Sequence, residues 1–95
     1  MYQIVYEKSA IKDFKKIDKA YLKFLTNSLL IFATNFSNEY EKELFKTGKI
    51  KKLQAQKDEL YRLKLRGYRV IYKKEEDKLI ILILTVKTRE NSYKK

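Results

Sequence analysis

A chain of 95 residues that is 44% hydrophobic and 14% aromatic, with two Gly and no Pro, encodes one ordered domain and excludes a disordered or linker-rich protein. It contains neither Cys nor His, which excludes disulfides, the usual zinc sites and every nucleophile activated by histidine. A formal net charge of +11 points to a polyanionic partner.

In chain order, Tyr2-Gln3-Ile4-Val5-Tyr6 is β-branched and aromatic, as a short strand requires, with Tyr2, Ile4 and Tyr6 on one face. Ser9 offers an N-cap to a helix over residues 9–17, where Ala10, Phe14 and Ile17 recur at helical spacing. Asp18 caps a second helix over residues 19–36. Its apolar stripe is Leu22, Leu25, Leu29, Phe32 and Phe36. Phe24, Phe32 and Phe36 are expected in the core or a partner groove. Residues 39–46 carry a weaker helical signal. Asp13, Asp18, Glu39 and Glu41 read as caps and surface charges.

Gly48 breaks the helical period, and beyond it the period is two. A short strand is expected near residues 50–54. In Tyr61-Arg62-Leu63-Lys64-Leu65-Arg66, alternation sends Tyr61, Leu63 and Leu65 to the core and Arg62, Lys64 and Arg66 to the opposite face. Gly67 turns the chain, Tyr68–Lys73 returns, Glu75-Glu76-Asp77 makes a polar turn, and Leu79–Val86 reads as a central strand covered on both faces. The expected fold is therefore α+β: two helices packed on a mostly antiparallel sheet of about four strands, in a single domain over residues 1–95. The first strand joins that sheet at an edge or as a parallel neighbour.

Charge is unevenly placed. Residues 1–45 hold seven Lys/Arg against six Asp/Glu, whereas residues 46–95 hold sixteen against six. The basic half contains a row of cations spaced about 7 Å apart along one strand face. Arg69 and Lys73 on the next strand extend it. Lys87 and Arg89 are expected just past the end of the last strand, and Tyr93 offers a ring for stacking on a base. Exposed Lys and Arg are ordinary on a half-buried strand; the convergence of several strand ends is what singles these out. The apolar runs Leu29–Ala33 and Leu79–Leu84 are far shorter than the roughly 20 residues of a membrane span. No signal-peptide pattern is present, so a cytoplasmic protein with no membrane partner is expected.

Without histidine or a metal site, RNA cleavage would use the neighbouring 2′-OH as nucleophile. That reaction needs a base, an acid for the leaving oxygen, and positive charge where the phosphorane develops. Arginine supplies charge but is a poor base. A lysine crowded by other cations is the available base, because like charges favour its neutral form.

Tyr61-Arg62-Leu63-Lys64-Leu65-Arg66-Gly67-Tyr68-Arg69-Val70-Ile71-Tyr72 resembles the central signature of the RelE/ParE toxin superfamily. The closing Arg89 with Tyr93 four residues on, Lys52-Leu53, and the opening strand followed by Asp13-Phe14-Lys15-Lys16-Ile17 also resemble that superfamily. The resemblance implies a toxin encoded with a cognate antitoxin, acting on mRNA on the ribosome without a metal or a small-molecule cofactor. It implies Lys64 as base, Arg62 and Arg69 as phosphate clamps, Arg89 at the leaving oxygen and Tyr93 stacked on a base. Lys52, Arg66, Lys73 and Lys87 would add RNA contacts. Arg62 stands where the best-studied branch carries a second lysine, which keeps the charge but not an easy proton transfer. ParE-like members inhibit DNA gyrase without cutting RNA, and that is the rival reading.

Overall fold

The change of period at Gly48 separates a mainly helical half, opened by one strand, from a sheet half, and the computed structural model describes residues 1–53 and 59–88 of the chain. The elements are β1 (Gln3–Tyr6), α1 (Lys8–Phe14), α2 (Lys19–Thr34), α3 (Asn38–Lys46), β2 (Ile50–Lys52), β3 (Tyr61–Leu65), β4 (Tyr68–Glu75) and β5 (Ile80–Thr88). The strands form one sheet in the order β1-β5-β4-β3-β2. All neighbours are antiparallel except β1, which runs parallel to β5. The α+β class is as expected. The sheet has five strands among the described residues rather than about four, and α3 is a full third helix.

Local chemistry explains most boundaries. The Asp18 carboxylate accepts the Ala20 N–H and starts α2, and Ser37 does the same for α3 through the Tyr40 N–H. At the end of α3, Gly48 takes a φ of +79°. Its N–H bonds to the Phe45 carbonyl, and the Lys49 N–H bonds to the Leu44 carbonyl. That left-handed cap satisfies the last carbonyls and aims the chain into β2.

Helix α1 differs from expectation. It begins at Lys8 and ends at Phe14, three residues short of Ile17, and Ser9 is not its cap. The Ser9 hydroxyl instead donates to the Leu84 carbonyl. Strand β1 covers β5 only as far as Ile83. Beyond that point β5 has a bulge, where the partners of Ile71 and Tyr72 jump from Thr85 to Ile83. The side chains of α1 then take over the edge: Ser9 at Leu84, and Asp13 accepting the Val86 N–H at 2.9 Å. Polar groups of an otherwise open sheet edge are thereby satisfied.

The core lies between the helices and one face of the sheet. Leu25, Leu29, Phe32 and Phe36 of the α2 stripe pack on Ile50, Leu63, Val70, Tyr72, Ile81 and Ile83. Tyr2, Ile4 and Tyr6 join them from one face of β1, as their alternation predicts. Fully burying each such aliphatic side chain contributes roughly 1.5–3 kcal/mol. Strand β5 is buried on this face only; Ile80, Leu82 and Leu84 are half-buried. Its uniform apolarity therefore does not mean cover on both sides.

Candidate nucleic-acid interface

Cross-strand partners share a face, so the register decides which cations meet. Lys64 stands opposite Arg69, and Arg69 stands opposite Lys87. The Lys64 N–H bonds to the Lys49 carbonyl at 2.9 Å, which adds Lys49 to the same row on the far side of β3. The next row joins Lys51 to Arg62 and Ile71. Both rows lie on the face away from the helices, because Leu63, Val70 and Val86 between them are buried in the core. The Arg62 guanidinium donates to the Gly48 carbonyl at 3.1 Å and so lies along the β2 edge. Lys64 is exposed, while Arg62, Arg69 and Lys73 are half-buried.

Several predicted contacts sit elsewhere. Arg66 does not continue the row of Arg62 and Lys64. Strand β3 ends at Leu65, and Arg66 enters the turn with a φ of +34° before Gly67 at +79°. Both central residues have positive φ, the geometry that two-residue hairpins favour. The turn docks on α2: Tyr21 Oη donates to the Arg66 carbonyl, Tyr21 stacks on Tyr68, and the Arg66 guanidinium lies 4.9 Å from the Phe24 ring. Lys52 pairs in register with buried Tyr61, hence on the helix side, and its ammonium meets Glu59 at 3.4 Å. Lys73 shares the open face but stands four residues along β4 from Arg69, opposite Leu82. Lys87 lies within β5, not beyond it, and its ammonium pairs with Asp13 at 3.0 Å. Arg89 and Tyr93 lie outside the described residues.

Two carboxylates expected on the surface are buried. Asp13 is 7% exposed and Glu41 6%. Glu41 accepts from the Tyr72 hydroxyl at 2.8 Å and from Lys74 Nζ at 2.9 Å. Lys74 also lies 4.9 Å from the Tyr61 ring. Burial alone would lower the Lys74 pKa, but the hydrogen bond and charge of Glu41 outweigh it and raise it. Burial, reinforced by the charge of Glu41, pushes the Tyr72 phenol far above its ordinary range. This cluster ties α3 to β4 on the helix side, away from the cationic rows. Among the described residues, no group of His, Cys, Asp and Glu has the arrangement to hold a metal ion, and no helix is long and apolar enough to cross a membrane.

Sequence alternation missed Lys49 and Lys51. Both flank the apolar Ile50 at period two, whereas the family resemblance rests on Lys52.

Comparison with solved structures finds the same architecture repeatedly. The archaeal RelE–RelB complex of Pyrococcus horikoshii contains a chain 29% identical to this one, with a TM-score of 0.66 over 93% of this chain and 94% of that chain. The intact Escherichia coli RelBE toxin–antitoxin complex matches at 22% identity and a TM-score of 0.66, over 93% and 96% of the two chains. The Mycobacterium tuberculosis RelBE2 complex matches at 19% and 0.66, over 93% and 98%. No curated protein sequence matches. Residues 4–93 match the family described as the ParE toxin of type II toxin–antitoxin systems, parDE. With that match spanning nearly the whole sequence and the RelE fold beneath it, the chain belongs to the ParE toxin family of type II toxin–antitoxin systems, within the RelE/ParE superfamily.

Proposed function

We propose that this toxin is an endoribonuclease that cuts mRNA on the ribosome. The observation that carries this reading is the cross-strand pairing of Lys64 with Arg69 on the face away from the helices, beside Arg62 on the same strand. Lys64 takes the proton of the 2′-OH, whose oxygen attacks the adjacent phosphorus. The bond from phosphorus to the 5′ oxygen breaks, leaving a 2′,3′-cyclic phosphate, and the departing 5′ oxygen takes up a proton from solvent to become a hydroxyl. Arg62 and Arg69 hold the non-bridging oxygens as charge develops on them. Arg89 serves the leaving oxygen and Tyr93 stacks on a base; both assignments rest on the family resemblance. The reaction takes no cofactor. Lys73 and Lys87 flank the path of the RNA, with Lys87 also held by Asp13. Arg66 and Lys52, on the helix side of the sheet, serve at its rim.

The similar RelE chains were solved as complexes with RelB, which supports a cognate antitoxin as the protein partner here. Its expected chemistry is acidic or amphipathic, to match a strongly basic chain. Primer extension on mRNA with ribosomes present tests the activity: discrete cleavage sites within the reading frame are expected. A second reading follows from the family that matches, which is ParE: inhibition of DNA gyrase without RNA cleavage. Intact transcripts together with trapped gyrase–DNA complexes would replace the first reading with the second.

A further inference from the structure

The cationic face extends past the residues assigned above to the outermost strand. Lys49 and Lys51 are both exposed and lie on the same side of the sheet as Arg62 and Lys64, their cross-strand neighbours. Across the strands, Lys49, Lys64 and Arg69 are separated by about 5 Å per step, and along β2 and β3 the spacing is about 7 Å. Four cations thus make a two-by-two block at the β2 edge. Lys52, Lys74, Lys78 and Lys87 each have a carboxylate within 4 Å. Among the described residues, Lys49, Lys51 and Lys64 have none. Like charges held close repel one another, and an anion that bridges them relieves the repulsion.

We infer that Lys49 and Lys51 form a phosphate-binding subsite for the single-stranded RNA backbone, carrying it from Lys64 across β3 to the β2 edge. This inference rests on the ribonuclease reading and assigns the direction in which the substrate leaves the reacting phosphate. A single strand suits the surface: the sheet is open there, and a backbone crossing the strands meets one cation at each step. The alternative role of these lysines is to guard a short edge strand against pairing with another sheet.

The test is fluorescence anisotropy with a short labelled oligouridylate, titrated between about 50 and 200 mM salt. Wild type is compared with Lys49→Gln/Lys51→Gln, Lys49→Arg/Lys51→Arg and Lys64→Gln, each checked for folding by circular dichroism. Losing two phosphate contacts lowers the slope of log affinity against log salt by about 1.4, so the advantage of wild type over the glutamine variant shrinks about seven-fold across that range. The arginine variant restores the wild-type slope. A wild-type slope in the glutamine variant, with Lys64→Gln still impaired, overturns the subsite but leaves the ribonuclease reading standing. A wild-type slope accompanied by self-association assigns the pair to edge protection and also overturns it. An equal loss of slope on duplex DNA overturns RNA as the ligand. If wild type binds the RNA with no salt dependence and leaves ribosomal mRNA intact, the ribonuclease reading itself has failed.

Discussion

Lys64 is the residue on which the proposed chemistry turns, and one substitution separates charge from proton transfer. Arginine keeps the positive charge and reach but is a poor base. Lys64→Arg is therefore expected to retain RNA affinity while cleavage falls by about 10²–10⁴-fold, measured as single-turnover cleavage on programmed ribosomes. Equal loss of binding and cleavage would instead make Lys64 a simple phosphate contact. Because Lys64 is exposed, its replacement is expected to change stability by less than about 0.5 kcal/mol. Glu41 is the opposite case. It is 6% exposed and holds both Tyr72 and Lys74. Glu41→Gln removes the charge that compensates a Lys74 side chain only 13% exposed. A loss of about 3 kcal/mol is expected, read from urea denaturation, with ordinary RNA affinity in the protein that remains folded.

At the scale of elements, the junction of β1, α1 and β5 is the least ordinary part of the fold. A four-residue strand cannot cover a nine-residue neighbour, and the helix that follows it supplies the missing partners from its side chains. Asp13 accepts the Val86 N–H and the Lys87 ammonium together. Asp13→Ala leaves a buried N–H without its acceptor, which costs about 1–3 kcal/mol. Hydrogen exchange checks this: the Val86 amide should exchange faster in the variant, whereas the Ile81 and Ile83 amides should change only as global stability changes. Asp13→Asn retains an acceptor oxygen and is expected to restore most of the protection. The β3–β4 hairpin is held by the same logic from the other helix, since Tyr21 and Phe24 of α2 fix the turn at Arg66. Both helices thus fix the strand ends that carry Arg69, Lys64 and Lys87.

For the whole molecule, the two faces of the sheet have opposite electrostatic characters. On the helix side, the Lys74 ammonium is paired with the buried Glu41 carboxylate; on the other, cations are gathered in rows. The buried cluster also sets an alkaline limit to stability. Lys74 has its pKa raised above 10.5, and Tyr72 above 10.0. A raised folded-state pKa contributes stability that is fully present below the unfolded value and is lost as pH climbs toward the folded one. Thermal midpoints should therefore be insensitive to these two groups near neutral pH and begin to fall above about pH 10. Tyr72→Phe removes the phenol's share and should make that alkaline decline shallower. An unchanged decline in Tyr72→Phe would place the titrating groups elsewhere.

Much of this protein was determined by its sequence alone. Period three-to-four between the opening strand and Gly48, and period two on either side of it, indicated the helices and strands though not the end of α1, because burial on one face repeats with backbone geometry. Alternation also assigned Arg62 and Lys64 to one face, and the order of motifs indicated the superfamily. The pairing partners were not legible, because a one-residue difference in register exchanges the faces. Only the tertiary structure put Lys51 rather than Lys52 beside Arg62. Only it turned Arg66 onto Phe24, since a positive φ at the turn ends the strand's alternation. The buried roles of Asp13 and Glu41 were likewise decided by contacts 73 and 31 residues away in sequence, which no local pattern encodes. Composition made the protein basic; the register of five strands decided where those charges meet.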